Sequence, residues 1–253
     1  MSSNNEMHDS YPPIPKSMLI GGEVYHYQEI KYRKNCERIG AHMIRMYNEK
    51  FESIRLGDLT LSGKNICIAG FDMDETIITT KSGTRFGDGV WDWRIKYPGT
   101  ALKLKELEAN QPNDAIIVLA IFTNQGAINN TKRSKSLSGF THKISSVIKK
   151  LGTLTSLPIV IYAATRDPQA NKNVLAQKAA SLARKPDIGM FQQLLADINA
   201  TREDISLESS FFCGDAAGRP GDFSECDLGI AKNMGVNFYT PEQYFLGTNE
   251  KQA

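Results

Sequence analysis

Asp72 and Asp74 stand two positions apart in Phe71-Asp-Met-Asp-Glu-Thr76, directly after the apolar run Asn65-Ile-Cys-Ile-Ala-Gly70. Alternate side chains of extended backbone share a face, so both carboxylates can project to one side where a buried strand ends. Such strand ends are where α/β proteins hold ligands. Two carboxylates held close together repel unless a cation or a shared proton lies between them. The pair therefore suits a magnesium-assisted reaction at an anionic group. Taken alone, the same string is also what turn formers and helix caps look like.

Three further polar clusters follow apolar runs. Ile121-Phe-Thr-Asn-Gln125 offers the Thr123 hydroxyl and the Asn124 amide to a phosphoryl oxygen. Ala183-Arg-Lys-Pro186 places Lys185 before a proline able to start a helix. Phe211-Phe-Cys-Gly-Asp215 ends in a carboxylate placed much like Asp72. Hydroxyl, ammonium and two acidic strand ends are the parts phosphoryl transfer needs. Each cluster alone is ordinary loop chemistry; the four in this order, each after a strand, are hard to obtain by accident.

The elements that must position them read as alternating strands and helices, which implies a parallel sheet with right-handed crossovers. Strands are expected over 66–71, 115–122, 159–163 and 210–213. Helices are expected over 101–110, 140–151, 174–183, 189–199, 227–234 and 241–245. The fold class is α/β, a Rossmann-like open parallel sheet with helices on both faces. Residues 1–17 are polar and proline-bearing and read as a disordered tail. Residues 18–64 read as an N-terminal extension packed on the core, and 65–253 as the main domain. Within the extension, Val24, Tyr25, Tyr27 and Ile30 suit a short strand, and Ile39, Met43, Met46 and Phe51 approximate one face of a single helix.

Lys plus Arg number 30 and Asp plus Glu 28, so total charge does not advertise a nucleic-acid binder. Between Lys132 and Lys150, however, the cations Lys132, Arg133, Lys135, Lys143, Lys149 and Lys150 occur without an acidic residue, as a solvated helix face or as a surface that tracks phosphates. Cys36, Cys67, Cys213 and Cys226 form no C-x-x-C pair, which suits buried thiols in a reducing, intracellular compartment. No apolar run of about 18 residues is present, so no membrane span is expected.

The order D-x-D-x-T, Thr-Asn, lysine, Gly-Asp resembles the haloacid dehalogenase superfamily. Closer still is the phosphatase domain of the polynucleotide kinase 3′-phosphatase family. Ile77-Ile-Thr-Thr-Lys-Ser-Gly83, Asp92-Trp-Arg-Ile-Lys-Tyr-Pro98, Arg184-Lys-Pro186, Gly214-Asp-Ala-Ala-Gly-Arg-Pro220, Asp222-Phe-Ser224 and Thr240-Pro-Glu242 all resemble that family's motifs, over Ala69 to Leu246. The resemblance implies a hydrolase that removes 3′-phosphates at strand breaks. Asp72 would be the nucleophile, Asp74 the general acid and base, and Thr123 and Lys185 the phosphoryl ligands. Magnesium would be held by Asp72, Asp215 and the Asp74 carbonyl, with Asp222 as an outer partner. Thr76, Asn124 and Arg219 would join the substrate contacts. The resemblance further implies a nucleic-acid substrate, DNA rather than RNA, a monomer working beside unidentified repair proteins, and residence in the nucleus.

The chain departs from the family at three places. Position 75 is Glu where the family usually has Gly, the stretch 166–182 is longer than in animal members, and the loop 220–222 is shorter. Little sequence remains for a folded cap, and an open site suits a bulky polynucleotide better than a metabolite. Trp91 and Trp93 lie near Arg85, Phe86 and Arg94 in one Gly-rich segment. Trp93 and Arg94 are candidate substrate contacts, since aromatic and guanidinium groups stack on splayed bases; packing of both tryptophans into the core edge is the alternative. No G-x-x-x-x-G-K-[ST] run is present, so 5′-kinase activity is not expected. Two other readings stay open: a small-molecule phosphatase of the same superfamily, and a catalytically silent nucleic-acid-binding protein.

Overall fold

The run from Ile66 to Phe71 has no polar side chain, and a strand without a polar face must be covered on both sides. The structure, a computed structural model, describes residues 17–20, 23–26, 29–33, 35–40, 42–57, 63–84, 87, 89–131, 134–166 and 174–248. The run forms β6 (Asn65–Phe71), flanked by β9 (Ala115–Asn129) and β11 (Phe211–Cys213), with β10 (Ile159–Arg166) and β12 (Asn237–Tyr239) outside them, all parallel. Alternation then splits the core. Ile66, Ile68, Val118, Ala120, Phe122, Val160 and Tyr162 face one cluster, which also holds Phe191, Leu194, Ile230 and Met234. Cys67, Ala69, Phe71, Leu119, Ile121 and Ile161 face the other, with Ile144, Val147, Leu151 and Phe245. Each Val, Leu, Ile, Phe or Met side chain among these, fully buried, contributes about 1.5–3 kcal/mol.

The helices that supply those partners are α2 (Thr100–Ala109), α3 (Lys135–Gly152), α4 (Val174–Leu182), α5 (Gly189–Asp197), α6 (Cys226–Met234) and α7 (Pro241–Leu246). The last starts on a capping box of Thr240 and Gln243 with Pro241 in its first turn. The doubly covered, mostly parallel sheet is the expected fold class.

The N-terminal region differs from its expected single helix. β3 (Glu29–Arg33), β4 (Cys36–Ile39) and β5 (Met43–Tyr47) extend the sheet antiparallel from β10, giving the order β12-β11-β6-β9-β10-β5-β4-β3. Helix α1 (Glu49–Arg55) begins only after Asn48, whose side chain accepts from the Phe51 N–H. The helical spacing of Ile39, Met43 and Met46 misled because β5 is buried on both faces: Met43 lies in one cluster, Ile44 and Met46 in the other. Gly40, at φ +58°, turns the chain between the strands. A separate hairpin, β1 (Ser17–Ile20) with β2 (Glu23–His26), precedes them. The tail expected over 1–17 lies outside the described residues except for Ser17, and Tyr27 lies outside them too.

Arg45, in the middle of β5, is fully buried. It pairs with Glu37 of β4 and with Asp197 of α5; Asp197 also accepts from Gln193 Nε2 at 2.8 Å and from the Tyr162 hydroxyl. This polar knot fastens the antiparallel strands to the parallel core. β12, three residues at the sheet edge, has no apolar run to announce it in the sequence.

Candidate active site

Asp72 follows β6 directly, and its N–H donates to the Cys213 carbonyl at 2.9 Å, while the Gly214 N–H donates to Tyr239 at 3.1 Å. These bonds prolong the sheet by one residue on each strand, which sets Asp72 and Asp215 side by side. A third carboxylate joins them. Asp227, in the first turn of α6, brings an oxygen within 4.8 Å of oxygens of Asp72 and Asp215. Gly214 makes the room: a Cβ there would stand 2.3 Å from the Asp227 carboxylate.

Lys185 enters between the carboxylates. Its Nζ lies 2.7 Å from Asp227 and also pairs with Asp72. Burial pushes the Asp72 carboxyl well above its ordinary value; Lys185 opposes this, and the charges of Asp227 and Asp215 add to it. Asp215 is pushed up to about 6, first by burial and then by Asp227. Burial alone would lower Lys185, but Asp227 and Asp72 more than offset it and hold the ammonium above its usual range. Three carboxylates against one ammonium leave two negative charges uncompensated, and hard carboxylate oxygens suit a divalent ion such as magnesium. The residues present therefore fit that ion.

Asp74 sits on the turn after Asp72, half-exposed. One carboxylate oxygen accepts from Lys143 Nζ of α3 at 2.8 Å, the other from Gln125 Nε2 at 2.7 Å. Gln125 Nε2 also reaches the Thr123 hydroxyl, at 2.9 Å. The strand runs past its expected end at 122 and takes in Thr123, Asn124 and Gln125. They pair with Ala163, Ala164 and Thr165 inside the long β9. Thr76 is buried, its hydroxyl 3.4 Å from Asp215.

Asn124, Arg219, Trp93 and Arg94, expected to contact substrate, and Asp222 differ in their surroundings. Asn124 spends its amide on Lys185: Nδ2 donates to the Lys185 carbonyl and Oδ1 accepts from the Lys185 N–H, both at 3.0 Å. Arg219 donates to Asp222, to Glu242 and to the Asp215 carbonyl. Asp222 accepts from the N–H groups of Ala217 and Arg219, each at 3.0 Å, so it organises the 215–222 loop and stands outside the carboxylate trio. Trp93 is half-buried against the core, and Arg94 is exposed on β8 (Arg94–Ile95), which pairs with β7 (Ile78–Thr79). Trp91, in contrast, is 70% exposed.

Sequence reasoning missed Asp227, Gln125 and Lys143. A signal existed for Asp227, three residues beyond the quoted motif Asp222-Phe-Ser224. Lys143 was noticed only as one cation in a basic run. Of that run, Lys132 and Arg133 lie outside the described residues, as do Arg85 and Phe86 of the tryptophan segment and 167–173 of the lengthened stretch. The four cysteines are free, and three of them are buried.

Among the described residues, β7, β8 and α2 are the elements between Asp74 and β9. A cavity of 930 Å³ lined by Tyr47, Asn48, Lys149 and Thr155 lies at the opposite ends of the strands, away from this chemistry. No helix among the described residues is long and apolar enough to cross a membrane.

Residues 67–245 match the family model described as polynucleotide kinase 3 phosphatase. The bifunctional polynucleotide phosphatase/kinase of Schizosaccharomyces pombe is 39% identical across 70% of this chain, which spans only 37% of that protein's length. The polynucleotide 3′-phosphatase of Saccharomyces cerevisiae is 33% identical, over 71% of this chain and 87% of its own; that of Saccharomyces mikatae is 32% identical, over 71% and 85%.

Proposed function

Since the chain belongs to the polynucleotide kinase 3 phosphatase family, within the haloacid dehalogenase superfamily, we propose that it removes 3′-phosphates from nucleic-acid ends through a phosphoaspartate. The observation that carries the reading is the Asp72, Asp215, Asp227 and Lys185 cluster at the ends of β6 and β11.

In this reading an Asp72 oxygen attacks phosphorus and the bond from phosphorus to the 3′-oxygen breaks. Asp74, positioned by Lys143 and Gln125, gives that oxygen its proton and then takes one from the water that hydrolyses the acyl phosphate. The products are a 3′-hydroxyl and inorganic phosphate, and Asp72 is regenerated. Lys185 and Thr123 orient the phosphoryl oxygens. Asp72, Asp215, Asp227 and the Asp74 carbonyl would hold magnesium, which when bound screens negative charge between nucleophile and phosphate.

The reading carries DNA ends, action as a monomer in strand-break repair and nuclear residence with it, all resting on family likeness. It includes the lack of 5′-kinase activity, supported by the missing P-loop string and tested with labelled ATP and a 5′-hydroxyl oligonucleotide.

The deciding experiment measures phosphate release from matched oligonucleotides bearing a 3′- or a 5′-phosphate, with magnesium and with chelator, by wild type and Asp72→Asn. Magnesium-dependent release from the 3′ end alone, lost in the variant, is expected. Preference for metabolite phosphates, or no release at all, sinks the reading.

A further inference from the structure

At Glu75 the backbone takes φ +57°, a left-handed conformation that costs a residue with a side chain about 1–3 kcal/mol and persists only where its surroundings hold it. Glycine would adopt it freely. A glutamate kept there against strain calls for an account of what its side chain does.

Its carboxylate is engaged on both oxygens. The Thr79 hydroxyl donates to Oε1 at 2.6 Å, and Lys96 Nζ lies 3.3 Å from Oε2. The same ammonium donates to the Glu75 carbonyl at 2.6 Å, and the Lys96 N–H donates to the Ile77 carbonyl at 3.0 Å. Thr79 ends β7 and Lys96 follows β8, so one residue of the turn between Asp74 and Thr76 is fastened to both strands of the small β7-β8 sheet. Those strands bracket residues 80–93, which hold the exposed Trp91 and are cinched at their base by Asp92, whose carboxylate accepts from the Lys81 and Ser82 N–H groups. Val90, beside Trp91, lies against Gly139 of α3, one turn before the Lys143 that holds Asp74.

We propose that Glu75 is a positioning residue: through Thr79 and Lys96 it latches the β7-β8 flap to the turn carrying Asp74 and Thr76, so that flap and reacting carboxylates keep one relative geometry. The kinetic part of this inference rests on the phosphatase reading; the structural part does not. A surface glutamate with no such role would be neutral or harmful to stability and nothing more. The latch instead separates the two properties, because Glu75→Gly relieves the backbone strain while releasing the flap.

The test compares wild type with Glu75→Gly, Glu75→Gln, Lys96→Met and the Glu75→Gly/Lys96→Met double variant. Three quantities are read: thermal midpoint, amide hydrogen exchange across residues 77–96, and kcat and KM on a 3′-phosphorylated oligonucleotide. For Glu75→Gly the expected result is a midpoint unchanged or raised, flap exchange faster by about tenfold, and kcat lower by about tenfold with a smaller change in KM. Glu75→Gln, whose single amide oxygen still accepts from Thr79 while Lys96 keeps its bond to the residue-75 carbonyl, recovers part of both, and the double variant loses less than the sum of the two single ones. Wild-type flap exchange in Glu75→Gly overturns the latch, as does a kcat within about twofold of wild type. A fall in its midpoint overturns it too, by assigning Glu75 to the fold. If the wild type releases no phosphate, the phosphatase reading fails while the exchange data still decide the latch.

Discussion

The Lys185 ammonium and the Asp227 carboxylate meet at 2.7 Å with side chains only 2% and 1% exposed. A pair so buried is held less for the stability it gives than for the geometry it fixes, because desolvating both charges offsets much of their attraction. Here the fixed geometry is that of Asp72, which shares the same ammonium. Lys185 is thus both counter-charge to the carboxylate trio and, in the phosphatase reading, the cation that meets the phosphoryl group.

Asp227, which the sequence reading did not single out, lies with Asp72 and Asp215, and Asp222 does not. Asp227→Asn is expected to raise the magnesium concentration needed for half-maximal activity by at least about tenfold, since a charged oxygen ligand is lost. Asp222→Asn loses acceptor strength for the Ala217 and Arg219 N–H groups. It should lower thermal stability with little change in magnesium requirement. Magnesium titrations of both variants beside thermal melts check this, and equal magnesium shifts would return Asp222 to the metal set.

Asp74→Asn should slow release from a 3′-phosphorylated oligonucleotide by about 10²–10⁴-fold, because the leaving alkoxide needs a proton. An aryl phosphate, whose leaving group does not, should lose far less. Lys143→Met frees one Asp74 oxygen and is expected to show the same substrate dependence in weaker form. Equal losses on both substrates would remove Asp74 from the proton transfer.

Asn124→Ala deletes two hydrogen bonds to the Lys185 backbone without touching the ammonium. A lower kcat with a KM changed by no more than about threefold is expected, as for loss of alignment rather than of a substrate contact. A KM rise alone would restore Asn124 to the substrate contacts.

Glu37 gives a pH prediction. Burial raises its carboxyl, but Arg45, Arg55 and the Tyr47 hydroxyl together hold it below its ordinary 4.5. A depressed folded value means stability that is fully present above the unfolded pKa and lost as pH falls through the folded one. Denaturant midpoints should therefore drop below about pH 4.5 more steeply in wild type than in Glu37→Gln. At neutral pH that variant, which leaves Arg45 and Arg55 with only Asp197 to balance them, should be less stable by about 3–5 kcal/mol. A neutral-pH stability equal to wild type would show the knot to be dispensable.

Four of the five parallel strands, the helices between them and the strand-end positions of Asp72 and Asp215 were legible in the sequence. Apolar continuity, alternation and turn residues are local properties, and a buried parallel strand writes its whole length into consecutive residues. The same locality explains the error at 39–51, where β5, buried on both faces, presents a spacing that a helix also satisfies. The identities of Asp72, Asp74, Thr123 and Lys185 came from types and order alone. Their partners did not. That Lys143 and Gln125 hold Asp74, that Asn124 holds Lys185 and that Asp227 rather than Asp222 completes the trio depend on which residues α3, β9 and α6 bring to one sheet end. Such meetings join positions tens of residues apart, and they are set by register and helix packing, which a single sequence leaves open. Glu75 shows both sides: its departure from glycine was visible at once, while the Lys96 and Thr79 contacts that support its left-handed backbone exist only in the folded chain.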